Sequence, residues 1–283
     1  SVDSPVFTVV VDATAPTVAS IVRHAPAQQP TNAGTVVYRV KLSDPVRGLT
    51  TAELTLVDVA GTMIGEAITS VSASSGTVID VTVSTGTAGD GDLRLDVLMP
   101  GATILDPAGN ALITGYSTGQ LYSLDRTPPN AIALTPSDDA TKVPLIVDLV
   151  FTCSEDIRRG TGVIVIKKSA DDSVVETIDV ANEEKVQVDG ATATIRPNTL
   201  AKATSYYVEV AAGVFQDLAG NDFTGISGAT AWNFTTVATA IVVGDYELAA
   251  NCANQEILIS VTGGEWVTGL NLRAALGDGT GPG

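Results

Sequence analysis

The residues best suited to chemistry in this sequence are acidic, and some of them recur in a short motif, Asp-Xaa-Ala-Gly-Asn, at residues 106–110 and 217–221. Carboxylate, carboxamide and backbone oxygens are the ligands that Ca²⁺ takes in proteins. The candidate calcium ligands are Asp12, Asp106, Asn110, Asp125, Asp217 and Asn221. The alternative is a tight turn, in which Asp and Asn accept local backbone hydrogen bonds and Gly adopts a positive φ. Both interpretations remain open from the sequence.

Asp12 and Asp125 each precede a Xaa-Thr-Xaa-Pro segment. Proline fixes φ and stiffens such a connection, so each carboxylate either caps a turn there or holds an ion. A formal net charge of −17, from 32 Asp and Glu against 15 Lys and Arg, produces a repulsion that a divalent cation would relieve. The nearest approach to a dense calcium loop, residues 89–92, contains only two acids.

Catalytic residues of other kinds are scarce. The single histidine, His24, lies in a loop-like Arg-His-Ala-Pro segment, and we expect it on the surface rather than in a catalytic triad or a zinc site. The acids of residues 43–44 and 154–156 would suit glycoside hydrolysis only if they faced each other across a cleft. Because they occur at matching positions of a repeat, we expect a duplicated turn at a strand end. The sequence therefore predicts a protein that is not an enzyme.

Three matches reveal an internal repeat. Residues 12–16 recur at 125–129, a shift of 113, while residues 42–47 recur at 153–158 and residues 106–110 at 217–221, both at a shift of 111. Because the three matches occur in the same order and at nearly the same offset, they indicate two copies of one domain. We place the first copy at residues 13–125 and the second at residues 126–237.

Each copy is predicted to be built from strands. Apolar and polar side chains alternate in the segments 35–42, 80–84, 93–97, 192–196 and 207–210, as in half-buried strands. Gly, Asn, Asp and Pro separate these segments at short intervals. About seven short strands in ~110 residues are typical of a β-sandwich, so the fold class predicted is all-β, with two tandem sandwiches.

The second copy resembles the bacterial Ig-like domains of S-layer and adhesin-type surface proteins. The likeness rests on the Thr-Pro-Pro at 127–129, the Phe-Thr-Cys-Ser-Glu-Asp-Ile at 151–157, the Asp-Leu-Ala-Gly-Asn at 217–221 and the Trp-Asn-Phe-Thr-Thr at 232–236. The first copy resembles a diverged module that keeps the Asp-Xaa-Ala-Gly-Asn turn. The resemblance implies Ig-like sandwiches, an extracellular or cell-surface location, a structural role and Ca²⁺ at domain junctions.

Several side chains are assigned structural roles. We expect Cys153 to be a buried thiol without a disulfide partner in its own domain, since the other cysteine, Cys252, lies in the C-terminal segment. Leu200 and Tyr206 resemble a tyrosine corner, in which the phenol binds the backbone of a loop. Trp232 and Phe234 are expected in the core, and the glycosylation sequon at 233–235 is discounted because it falls within a strand.

The two ends suggest an assembly. Residues 1–12 are interpreted as the last strand of a preceding or partner domain, and residues 238–283 as a partial β-sandwich with a weak resemblance to cohesin-like domains. A lone strand and an open sheet edge invite strand addition between subunits, which would give a head-to-tail filament. The alternative is that both ends are cuts through a larger surface protein.

The expected partners are neighbouring domains or identical subunits. The acidic charge argues against nucleic acid, and the absence of an apolar run of ~18–20 residues argues against membrane insertion. A competing hypothesis is a non-catalytic carbohydrate-binding or cohesin-like docking module of a secreted enzyme. It predicts exposed aromatic side chains, in a sequence with 5% aromatic residues.

Overall fold

A computed structural model describes residues 11–59, 61–98 and 103–238, and the backbone of residues 249–251 and 256–258. Regular structure in these residues is β-strand, apart from one 3-10 turn at Thr51–Glu53. The chain divides into two compact units: the first contains the described residues up to Thr127 together with Leu218–Asn221, and the second contains the rest. None of the described residues forms a helix long and apolar enough to cross a membrane.

The first unit contains seven strands in two sheets. Their bounds are β1 Val18–Ala25, β2 Thr35–Arg47, β3 Leu54–Asp58, β4 Ile64–Val71, β5 Ser75–Ala88, β6 Gly91–Val97 and β7 Leu121–Leu124. One sheet has the order β1-β2-β5-β4 and the other β3-β6-β7, with antiparallel pairing throughout. The residues that alternate inward from both sheets form one core, in which the rings of Tyr38 and Tyr122 meet edge to face at 5.0 Å.

The second unit contains eleven strands up to residue 236. They are β8 Ala131–Thr135, β9 Ala140–Val143, β10 Leu149–Cys153, β11 Ile157–Arg159, β12 Val163–Lys168, β13 Val174–Asp179, β14 Val186–Asp189, β15 Thr192–Ile195, β16 Ser205–Val210, β17 Phe215–Asp217 and β18 Asn233–Thr236. The sheets have the orders β14-β15-β10-β8, β13-β12-β16-β18-β9 and β11-β17. Two further strands, β19 Ala249–Asn251 and β20 Glu256–Leu258, pair with each other.

The core of the second unit is rich in aromatic side chains. Phe151 packs against Phe215 and Phe223, with ring centroids 4.9 and 5.5 Å away, and the buried Trp232 donates its indole N–H to the carbonyl of Pro136 at 2.8 Å. Tyr206 confirms the predicted tyrosine corner, because its hydroxyl accepts the backbone N–H of Ala201 at 2.9 Å.

The architecture confirms the predicted fold class, tandem all-β sandwiches. One local prediction is wrong in part: residues 43–44 do not end a strand, since β2 continues to Arg47 through an irregularity between Lys41 and Val46. In the second repeat the chain does break there, between β10 and β11. Most of the proposed terminal strand, residues 1–10, most of the segment 238–283 and Cys252 lie outside the described residues.

Candidate functional site: the repeated acidic loops

The first Asp-Xaa-Ala-Gly-Asn loop is closed by its own acid. Asp106 is buried, and its two carboxylate oxygens accept the backbone N–H and the side-chain Nδ2–H of Asn110, both at 2.8 Å. The backbone N–H of Gly109 donates to the Asp106 carbonyl at 3.2 Å. Gly109 has a φ of +96°, which an L side chain adopts only with strain. These contacts match the structural-turn interpretation of the motif.

The hydrogen bonds of this loop keep Asp106 ionised. Burial raises the pKa of its carboxyl group, but donors from the side chain and backbone of Asn110 and from the backbones of Gly109 and Ala108 outweigh that effect, so the pKa lies below its ordinary value. A carboxylate that accepts several N–H bonds behaves in this way without any metal ion.

The terminal Asn of each loop also holds the incoming linker. Asn110 Nδ2 donates to the backbone carbonyl of Asp12 at 3.1 Å, and Asn221 Nδ2 donates to the carbonyl of Asp125 at 2.9 Å. In both repeats, therefore, the loop binds the last residue before the Xaa-Thr-Xaa-Pro segment. We call this pair of contacts the linker clasp.

The carboxylates of the two linker aspartates form local caps. Asp12 accepts the N–H of Thr14 at 2.9 Å, and Asp125 accepts the N–H of Thr127 at 3.0 Å. Each is an Asx turn, which fixes the chain direction at the joint. The structure thus brings Asp12, Asp106 and Asn110 together in the first repeat, through the Asn110 amide.

A second anchor of the linker was missed by sequence reasoning. The guanidinium of Arg126 donates to the carbonyls of Gly89 and Thr85, at 2.6 and 2.7 Å, and to Thr85 Oγ1 at 2.7 Å. Asp90 accepts the backbone N–H of Arg126 at 2.6 Å and the hydroxyl of Thr127 at 2.5 Å. No sequence signal identified this contact, because Ala13 occupies the position of Arg126 in the first repeat.

One acid outside the predicted ligand set lies close to a member of it. In the second unit, carboxylate oxygens of Glu155 and the buried Asp217 lie within 4.8 Å of each other. The available signal was the match between Asp44 and Glu155 in the repeat. Two carboxylates at this separation repel unless donors, protons or a cation lie near them.

Features expected of a catalytic or sugar-binding site are weak in the described residues. In the described part of the second unit, a groove of about 510 Å³ lies between β11 and β14 and another of about 380 Å³ lies beside β8, and neither of these is lined by an aromatic residue. Every aromatic side chain in the described part of the chain is buried, except the half-buried Tyr116. His24 has a half-exposed side chain whose Nε2 lies 2.8 Å from Arg39 Nη2.

Cys153 has the environment predicted for a structural thiol. It is buried at the end of β10. Burial, with a smaller contribution from the negative charge of Glu155, raises the pKa of the thiol to about 11. A thiol of this kind is a poor nucleophile at neutral pH, because the thiolate is the reactive form.

The second sandwich matches a known protein family. Residues 125–236 match the family model of the bacterial Ig-like domain. Among solved structures, the N-terminal part of the bacterial S-layer protein SbsC is 16% identical, with 70% of this chain and 40% of that chain covered and a TM-score of 0.27. The D0-D1 domain of intimin is 9% identical, with coverages of 77% and 99% and a TM-score of 0.22.

The chain thus spans 40% of the length of that SbsC structure, and a comparison with curated proteins gave no match. The family match starts and ends within a few residues of the second predicted copy and confirms the resemblance seen there. Residues 125–236 of this chain are therefore similar to the bacterial Ig-like domain family.

Proposed function

We propose that this chain is a structural part of a bacterial cell-surface protein, in which Ig-like sandwiches in series form a spacer or an assembling rod outside the cell. The proposal makes the acidic loops architectural: they hold linkers rather than bind substrate. The family match at residues 125–236 supports the domain type. The linker clasp supports the role of these domains as a stiff spacer or rod.

The linker clasp is the observation that carries the proposal. The same carboxamide-to-carbonyl bond occurs at Asn110 and Asn221, and at each joint an Asx turn precedes a proline. A bond between a domain loop and its incoming linker restricts rotation at the joint. Retention of this contact in both copies is expected of a protein that works by keeping its joints stiff.

The burial of aromatic side chains favours this function over the carbohydrate-binding alternative. Sugar rings bind to exposed aromatic faces, and in the described residues only Tyr116 is even half-exposed. The alternative predicts measurable affinity for a cell-wall or plant polysaccharide. Our proposal predicts none, and a polysaccharide pull-down distinguishes the two.

The surface location is tested on intact bacteria that make the protein. Protease added to whole cells should remove the protein while a cytosolic marker survives, and antibody against the purified chain should label unpermeabilised cells. Protection from protease until the cells are lysed would contradict the proposal.

Stiffness of the joint is tested separately. Small-angle scattering of the wild-type chain and of Asn221→Ala should show a broader distribution of maximum dimensions for the variant, with Asn182→Ala, at an exposed turn of the second unit, as the control. Identical distributions for all three proteins would remove the clasp from the argument.

Calcium binding is a second candidate, favoured by Glu155 and Asp217. Their two carboxylates would supply part of the roughly six to eight oxygen ligands that Ca²⁺ takes in proteins. Binding to the folded state alone raises Tm by mass action. Added Ca²⁺ should therefore raise Tm, chelator should reverse the rise, and Glu155→Gln should abolish it; a Tm insensitive to both additions would exclude the site.

Assembly of subunits by head-to-tail strand complementation is a further prediction. Its donor, residues 1–12, lies largely outside the described residues. Sedimentation of the whole chain and of a form lacking residues 1–12 tests it, since a filament that persists without these residues, or a monomer in both cases, would exclude that donor.

A further inference from the structure

The second acidic loop is covered by a segment of the first unit. The side-chain amide of Gln28 donates to the Leu218 carbonyl, while Asn32 donates its backbone N–H to the Ala219 carbonyl at 3.2 Å and its Nδ2–H to Asn221 Oδ1 at 3.1 Å. All of these residues belong to the first unit. Ala219 and Asn221 are consequently buried, at 6% and 9% exposure.

The first acidic loop has a similar turn, with φ of +96° at Gly109 and +103° at Gly220, but among the described residues no equivalent segment covers it. Pro107, Ala108 and Gly109 are exposed and Asn110 is half-buried. The acceptors that correspond to those covered in the second loop are the Pro107 and Ala108 carbonyls and Asn110 Oδ1. Within the described residues no hydrogen bond reaches any of the three.

We propose that residues 107–110 form a docking site for another Ig-like domain, lying upstream in the same polypeptide. That domain would present a segment equivalent to Gln28–Asn32. The inference rests on the proposed tandem function and names the partner. The recognition chemistry is specific. One carbonyl calls for a side-chain amide, as Gln28 provides in the occupied copy, and the neighbouring carbonyl and the carboxamide oxygen call for a residue with both a backbone N–H and a side-chain amide, as Asn32 provides.

The second repeat of another copy of this chain does not offer this chemistry. Asp125 donates its N–H to the Thr31 carbonyl, and Val237 donates in the same way to Val143, so Thr31 and Val143 are equivalent positions. Pro144 then stands where the first repeat has Asn32. Proline has neither a backbone N–H nor an amide side chain. The second repeat of another molecule of this protein therefore cannot reproduce the contact.

The test extends the full chain by one repeat: residues 1–125 are followed by residues 13–283. The new joint, Asp125 to Ala13, preserves the Asp-Ala-Thr-Ala-Pro sequence and places a Gln28–Asn32 segment upstream of an uncovered loop. In a Cys252→Ser background, Asn32→Cys of the upstream copy is paired with Ala108→Cys of the downstream copy. The matched pair is Asn32→Cys of the downstream copy with Ala219→Cys, which reports the contact already seen.

We expect both pairs to form disulfides under mild oxidation at rates within about threefold of each other, because backbone hydrogen-bonded neighbours have Cα atoms about 5 Å apart, within disulfide reach. A matched pair that closes while the test pair stays reduced would overturn the proposal. A test pair that closes only between molecules would overturn the assignment to the same polypeptide.

Hydrogen exchange provides a second measurement that needs no cysteines. The backbone amides of Gly109 and Asn110 should exchange at least tenfold more slowly in the extended chain than in the parent, and unchanged rates would count against docking. Neither measurement depends on where the protein lies in the cell. Failure of the docking proposal would therefore not contradict the surface location, and failure of the protease experiment would not contradict docking.

Discussion

Removal of the Arg126 side chain should destabilise the first unit strongly for a residue in a linker. The guanidinium makes three hydrogen bonds, to two carbonyls and one hydroxyl, and Thr85 is fully buried. A bond to a charged donor contributes about 1.5–3 kcal/mol net. Because the three bonds share one half-exposed cation, we count only the two bonds to carbonyls and take the lower end of that range for each. We therefore expect Arg126→Ala to lower the free energy of unfolding by about 3 kcal/mol.

Urea denaturation and calorimetry measure this loss. For a unit of this size, about 3 kcal/mol corresponds to a Tm decrease of roughly 10 °C. Arg126→Lys keeps the charge but not the planar fork of donors, so it should recover less than half of the loss. Arg196→Ala removes the same charge from a side chain whose one hydrogen bond within the described residues goes to the Gln187 side chain, and should change stability by about 0.5 kcal/mol or less. An Arg126→Ala protein as stable as the Arg196→Ala control would refute the assignment of Arg126 as a linker anchor.

Three further outcomes are expected. Because the pKa of Asp106 is lowered in the folded state, its carboxylate stabilises the fold above the ordinary Asp pKa and loses that effect as the pH falls through the lower folded-state value; Asp106→Asn should flatten the pH dependence of urea unfolding in this acid range, and an unchanged slope would argue against it. Cys153, with a raised pKa of about 11, should react with a thiol reagent only as fast as the protein unfolds; rapid labelling of native protein would contradict its burial. Tyr206→Phe should destabilise the second unit by about 1 kcal/mol, the net value of one hydrogen bond, because the N–H of Ala201 loses its acceptor; an unaltered unfolding midpoint would deny the tyrosine corner its structural role.

The sequence indicated the fold because its signals are local or repeated. Alternation in segments such as 35–42 marks a strand with one buried face, and β2 indeed buries Val36, Tyr38, Val40 and Leu42. The tyrosine corner depends on residues close in sequence, so it was also predictable. The turn at residues 43–44 was not, since whether a chain breaks or bulges there depends on its partner strand β5.

The sequence identified the residues of the acidic loops but not what they bind. Chemical type and spacing identified Asp106, Asn110 and Asn221 as one repeated motif, and allowed either ion binding or a turn. Only the tertiary structure showed that Asn110 and Asn221 bind linker carbonyls about a hundred residues away, and that Arg126 binds the hairpin of β5 and β6. A hydrogen bond is decided by the position of two groups within a few tenths of an ångström, and for residues far apart in sequence that position is set by the packing of whole sheets.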